Sequence, residues 1–267
     1  MLTVSLLTLL ACSEEEAEKV ETETTETTDT SETDVDDDTG EDTGDVEDTP
    51  ETALVRLVHL SPDAPPVDVY ANGALAGIDD FSFLDGTGFV ELPVGEYSFA
   101  VAPADTDFES AVPVTLDVEL MPGDVFTAIA HGYLDTSVES NGFAISPFAT
   151  NISDPTGDNF RVQVVHAAAA GAFAKVDIWN FTDDTNPQPL ITDFDYGEEE
   201  SMELEKGIAY VLAVDVNADA EPEAFFDIPD SLTGFVGVYA VNDGDGNPWL
   251  IAHFEDGTTA PIAATPQ

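Results

Sequence analysis

The chain has 267 residues and a single cysteine, and it carries 56 acidic against five basic residues, a formal net charge of −51. One cysteine excludes a disulfide framework, so the folded part must hold together by apolar burial. The charge excludes DNA and RNA as partners, because their binding rests on Lys and Arg displacing counterions, and it disfavours anionic headgroups.

Leu9-Leu10-Ala11-Cys12 closes a short apolar run and reads as the lipobox of a bacterial lipoprotein. On this reading residues 1–11 are a signal peptide and Cys12 carries the lipid. The run is about half the ~20 apolar residues that a spanning helix needs, so the chain is expected to be tethered rather than to span. One acyl chain binds marginally and two or three hold firmly. Ser13, not Asp, follows the cysteine, which in a Gram-negative cell favours the outer membrane or cell surface. From Ser13 to Ala53, 19 acidic residues and Lys19 mix with threonine and no aromatic residue. Such a segment cannot offset its chain entropy by burial, so residues 12–53 are expected to form a disordered acidic tether. Beyond it stand 37 acidic residues against Arg56, Arg161, Lys175 and Lys206. That density suits a halophilic setting, since the screening length contracts from about 10 Å at 0.1 M salt to about 3 Å at 1 M.

From Leu54 the grammar becomes that of strands, with short β-branched and aromatic runs between Gly, Pro, Asn and Asp. Asn72-Gly73 is a two-residue hairpin signal. Tyr97, Phe99 and Val101 alternate with small residues after the Pro93-Val94-Gly95 turn. Val112, Val114, Leu116, Val118 and Leu120 alternate with Thr115, Asp117 and Glu119, predicting one buried and one wet face. Met121-Pro122-Gly123-Asp124 then turns the chain into a strand over Val125 to Tyr133. No stretch of ten or more residues has a helical period.

The pattern then repeats. Val55 to His59 is echoed by Val162 to His166, Val67 to Tyr70 by Val176 to Trp179, Leu92 to Tyr97 by Leu204 to Ala209, and Phe126 by Phe235. The order is kept, which predicts two tandem antiparallel β-sandwich domains, 54–153 and 159–267, joined by a linker over Asp154 to Asp158. The segment His59-Leu60-Ser61-Pro62-Asp63-Ala64-Pro65-Pro66-Val67-Asp68-Val69-Tyr70-Ala71-Asn72-Gly73, with Leu92 to Tyr97 after it, resembles the bacterial domain of unknown function 4397. The second copy keeps His166, Asp177 and Gly207 but has Ala167 to Ala174 in place of the Ser-Pro-Asp-Ala-Pro loop. The resemblance implies an all-β, Ig-like sandwich on a secreted or surface-anchored protein, and it implies no activity.

His59, Ser61 and Asp63 are a hydrolase's residue types within five positions, but a triad draws its members from separate segments, and no Gly-x-Ser-x-Gly elbow occurs. A turn is expected there, with His59 and Asp68 bracing the adjoining strands. The four histidines, His59, His131, His166 and His253, form no spaced pair, so no metal site and no cofactor is expected. Asp243-Gly244-Asp245-Gly246-Asn247 and Asp215-Val216-Asn217-Ala218-Asp219 resemble calcium loops in part, allowing weak calcium binding. Tyr70 and Trp179 occupy equivalent positions, and alternation is expected to place such rings in the core. The chain reads as a non-enzymatic, surface-anchored lipoprotein whose two modules serve envelope structure, adhesion or ligand recognition. Its partners would be the membrane and an envelope protein or glycan, with His59, Ser61, Asp63, Asp68 and Tyr70 as the recognition candidates. A carbohydrate-binding surface protein is the alternative, and a hydrolase comes third.

Overall fold

Strand period sets the faces of the strand that ends at Leu120: Thr115, Asp117 and Glu119 are exposed while Val114, Leu116 and Val118 turn inward and Leu120 is buried. The computed structural model describes residues 51–265 apart from 107, 109–112, 138–140 and 220. The expectations for Cys12, for the acidic tether up to residue 50 and for Val112 lie outside the described residues.

The first half contributes β1 (Thr52–His59), β2 (Val67–Ala71), β3 (Ala74–Phe81), β4 (Val90–Pro93), β5 (Gly95–Pro103), β6 (Val114–Leu120), β7 (Val125–His131) and β8 (Ala144–Ala149). The second contributes β9 (Asn159–His166), β10 (Lys175–Asn180), β11 (Gln188–Asp195), β12 (Glu199–Glu205), β13 (Tyr210–Asp215), β14 (Ala224–Ile228), β15 (Phe235–Asn242), β16 (Pro248–Phe254) and β17 (Thr259–Ala263). One 3-10 turn at Gly171–Phe173 is the only helical element among the described residues. Sheet β4-β1-β7-β8 lies on sheet β3-β2-β5-β6, and sheet β12-β9-β15-β16-β17 lies on sheet β11-β10-β13-β14. Each strand of the first half thus has its counterpart eight strands later, and β17 is an addition.

Turn chemistry sets the connections. Asn72 and Gly73 both have positive φ, 51° and 79°, which closes the β2–β3 hairpin as the dipeptide foretold. Pro122 and Gly123, the latter at φ 80°, turn β6 into β7, and the Asp124 amide returns to the Met121 carbonyl at 3.1 Å. Four of the eight edge strands are blunted. Pro147, Pro189 and Pro261 sit in β8, β11 and β17, and β12 carries Glu199, Glu200, Glu203 and Glu205.

Two features depart from the sequence expectation. The sheets are not wholly antiparallel, because β1 runs parallel to β7 and β9 parallel to β15. The pairing Phe126 with Phe235 is also one residue out: Phe126 lies beside Val55, whereas the residue beside the equivalent Val162 is Val236. Since side chains alternate, a slip of one reverses the face. Phe126 therefore enters the first sandwich's own core, while Phe235 points out of the second.

It points at the other sandwich. On β1 and β7 the residues Ala53, Val55 and Phe126 fill the first core, and on β9 and β15 Phe160, Val162, Val164, Val236 and Val238 fill the second. The opposite faces of the same strands meet in a third apolar layer, Val58, Leu60, Ile129 and Phe148 against Val165, Ala167, Tyr239, Val241 and Ile251. The four sheets thus enclose three cores, and both sandwiches belong to one compact unit. Sheets buried on both faces need near-continuous apolar runs, and every residue of β15 is buried.

Expressed as separate fragments, 51–153 and 159–267 would each expose that middle layer, at about 1.5–3 kcal/mol per large apolar side chain. Each fragment should aggregate or melt well below the intact chain, and mixing them should restore solubility. Two fragments that melt as high as the whole would show the layer to be dispensable.

Candidate functional site

The histidine that ends each first strand is a tie, set by a neutral ring. His166 Nε2 donates to the Phe173 carbonyl at 2.6 Å, whereas His59 Nε2 is buried without a hydrogen-bond partner. His59 Nδ1 accepts the Ser61 amide at 3.3 Å. Burial pushes both rings below the usual histidine range, so each stays uncharged.

Ser61 and Asp63 meet within their own turn, hydroxyl to carboxylate at 3.4 Å, and also reach across the fold. The Ser61 hydroxyl donates to the Gly132 carbonyl at 2.6 Å, and the Asp63 carboxylate accepts the amides of Leu134 and Asp135 at 2.8 and 2.9 Å. Together they pin the loop after β7. His59 meets the backbone amide of Ser61 and not its hydroxyl, so the three residues are neighbours without the nucleophile-to-base contact of a triad.

Asp68 has a second, repeated task. Its Oδ1 accepts the amide of Asp80, which has φ 52°, at 3.1 Å. Asp177 does the same for Asp193, which has φ 56°, at 2.7 Å. Both carboxylates hold a bulge in the neighbouring strand where the register shifts. Tyr70 is buried in an apolar cluster, as expected, but a small one on the outer face of its sheet: 9% exposed, it packs with Ala100 and Ala102 under the ring of Phe108, 4.4 Å away between centroids. Trp179 takes the matching outer position in the second copy.

The two acidic loops close on themselves. Asp243 Oδ1 accepts the amides of Asp245 and Asn247, and Asp215 Oδ1 those of Asn217 and Ala218. Among the described residues no three His, Cys, Asp or Glu side chains stand together as a metal site.

The residue that sequence reasoning passed over is Arg56, fully buried in the layer between the sandwiches. Its guanidinium lies 4.8 Å from the centroids of both Phe89 and Phe235, one ring from each sandwich. Nε donates to the Thr127 hydroxyl at 2.8 Å, Nη2 to the Tyr239 hydroxyl at 3.1 Å and Nη1 to the His253 carbonyl at 3.4 Å. Tyr239 continues to His253 Nδ1 at 3.1 Å, and His253 Nε2 donates to the Thr87 carbonyl at 2.9 Å. Thr127 continues through Thr150 to Gln163. Room for this network comes from glycine, since a Cβ on Gly237 would stand 2.6 Å from Arg56 Nη2, and one on Gly86 2.6 Å from His253 Nε2. Desolvation lowers the Arg56 pKa, opposed by nearby Tyr239 and Glu255.

A second tie crosses at the far end of the layer. His131 Nδ1 shares a hydrogen bond with the Tyr196 hydroxyl at 2.5 Å, and its Nε2 shares one with Ser146 at 2.9 Å. Burial lowers His131 to about 4 and raises Tyr196 to about 12. His253 is lowered to about 3 by burial and then by Arg56. One signal marked this network: Arg56 is a lone cation inside the apolar run Val55 to Val58 of a chain with five basic residues.

Comparison with known proteins gives residues 53–179 as a match to the family DUF4397, a domain of unknown function. The resemblance read from the His59 to Gly73 segment therefore holds over the first sandwich and into β10. No curated protein matches the sequence. A solved structure described as alpha-glucan binding by a streptococcal virulence factor is 13% identical, covering 73% of this chain and 95% of that chain, with a TM-score of 0.25.

Two predictions follow from the buried network. Arg56→Ala should cost about 3–5 kcal/mol, by cavity and by unmade hydrogen bonds. Arg56→Lys should also destabilise, because a single ammonium cannot reach the Thr127, Tyr239 and His253 acceptors that three guanidinium nitrogens meet. Urea midpoints at constant slope read both, and a wild-type midpoint in either variant would deny Arg56 this role. His131 and His253 are held near 4 and 3 when folded, against about 6.5 unfolded, so the unfolded chain takes up protons first. Their contribution is full above about pH 6.5 and drains as the pH falls towards 4, at up to about 1.4 kcal/mol per unit per ring. His253→Asn should remove one ring's share of that slope, and an unchanged slope would assign the loss to other groups.

Proposed function

We propose that this protein is a non-catalytic display module: a lipid on Cys12, an acidic tether, and a stiff pair of sandwiches held away from the membrane to recognise an envelope component. The observation that carries the reading is the fate of its most chemical residues. The His59, Ser61 and Asp63 side chains are engaged in hydrogen bonds that tie loops together, and Arg56, Tyr239 and His253 are engaged in joining two sandwiches. Voids within the sandwiches support it too. One of about 10 Å³ lies among Leu57, Val69 and Phe81, and one of about 20 Å³ among His166, Phe173 and Phe226. Such apolar spaces are far smaller than a ligand pocket, which takes roughly 300–1,000 Å³.

A stiff body suits display, because a surface held rigid loses little entropy when it binds. A carbohydrate-binding surface protein is the second reading, favoured by one observation, the position of Trp179 on an outer sheet face rather than in a core.

Cys12→Ala, or globomycin treatment of the expressing cells, should shift the protein from the membrane fraction to the soluble one. Unchanged partitioning would remove the lipid anchor. The melting temperature should also climb between low and molar salt as acidic self-repulsion is screened, and a flat response would remove the halophilic setting.

A further inference from the structure

The layer between the sandwiches is built from one patch used twice. Strand pairing gives the equivalences, since Val55 lies beside Phe126 and Val162 beside Val236. Val58 and Val165, Leu60 and Ala167, and Ile129 and Tyr239 are therefore matched positions, and all six lie in the layer. The polar contacts follow the same exchange. Arg56 Nη1 donates to the His253 carbonyl of β16 at 3.4 Å, and Gln163 Nε2, at the matched position, donates to the Ala149 carbonyl of β8 at 2.6 Å. The two faces thus meet as the halves of a symmetric dimer do.

Four matched pairs break that symmetry. Where the first sandwich has Arg56, Val125, Thr127 and Ile129, the second has Gln163, Phe235, Gly237 and Tyr239. Arg56 depends on the last three. Its Nη2 donates to the Tyr239 hydroxyl at 3.1 Å, its guanidinium carbon lies 4.8 Å from the Phe235 ring centroid, and a Cβ on Gly237 would stand 2.6 Å from Nη2. A second copy of the first sandwich would offer Ile129, Val125 and Thr127 at those places and bring another guanidinium into the layer. Two copies of the second would bring none to the Tyr239 hydroxyl.

We infer that this layer is a recognition surface keyed for an unlike partner: the first sandwich accepts the second and rejects a copy of itself. The selectivity lies in what a like partner would leave unmet, a buried cation short of an acceptor and a branched side chain where glycine makes the room. Among chains displayed side by side, that keeps like faces apart although they share the same apolar surface. Unlike faces on neighbouring chains lose to the chain's own. Only residues 150–158 separate β8 from β9, so the joined partner is present at a high local concentration.

The test is made on the full chain. Gln163→Arg, Phe235→Val, Gly237→Thr and Tyr239→Ile together give the second sandwich the first one's face. The urea midpoint should fall and the joint open, read as a larger radius of gyration in small-angle scattering or as aggregation. Adding Arg56→Gln, Val125→Phe, Thr127→Gly and Ile129→Tyr makes the pair unlike again with the sides exchanged. That variant should regain the wild-type radius and most of the lost midpoint. A like pair as compact and as stable as the wild type would show the layer to be unselective. An exchanged pair no better than the like pair would place the selectivity in other residues, and either result overturns the inference. Should the like pair fail to fold at all, recovery or failure of the exchanged pair still decides.

Discussion

A positive charge removed from water governs this molecule. Arg56 sits buried between two β-sheets, hydrogen-bonded to hydroxyls and a carbonyl, with the charge of Glu255 close enough to raise its pKa. Burying a guanidinium is costly unless its donors and its faces are both occupied. Here three nitrogens meet Thr127, Tyr239 and the His253 carbonyl, and the guanidinium carbon lies 4.8 Å from the centroids of two neighbouring phenyl rings. Its partners come from both halves of the chain, so the charge is satisfied only when the halves are together.

The duplication explains which residues recur and which do not. Asp68 and Asp177 recur because both copies bulge at the same place and both bulges need a carboxylate to hold a left-handed residue. His59 and His166 recur because both copies must fasten the segment leaving the first strand. Ser61 and Asp63 do not recur, and the reason is positional. Their loop serves the chain after β7, whereas the alanine-rich equivalent faces the first sandwich. There the Ala169 carbonyl accepts Asn141, and the Ala170 amide donates to Asn242. Leu84 carries the same asymmetry. It holds φ 75° where the second copy uses Gly197 at φ 87°, and it packs into the layer between the sandwiches.

Much of this was legible in one dimension. Period two placed β6, Asn72-Gly73 placed a hairpin, and the echo of Val55 to His59 in Val162 to His166 placed the second copy. What escaped was whatever depended on two sheets facing each other. Periodicity names a strand's two faces without naming what covers the second, so Arg56 and Phe235 gave no hint of meeting. Parallel pairing of β1 with β7 joins residues some seventy positions apart, and no local pattern encodes it. Matching Phe126 to Phe235 by residue type alone put one of them on the wrong face.

The prolines and glutamates along the outermost strands carry a further implication. A sheet rim with bare amides and carbonyls recruits a neighbour's backbone, and many copies held side by side would zip into fibres. Pro147, Pro189 and Pro261 withhold donors at three rims, and the glutamates of β12 make a fourth repulsive. Molecules of this kind can stand shoulder to shoulder at high density and stay separate, each keeping its flanks open to the surroundings.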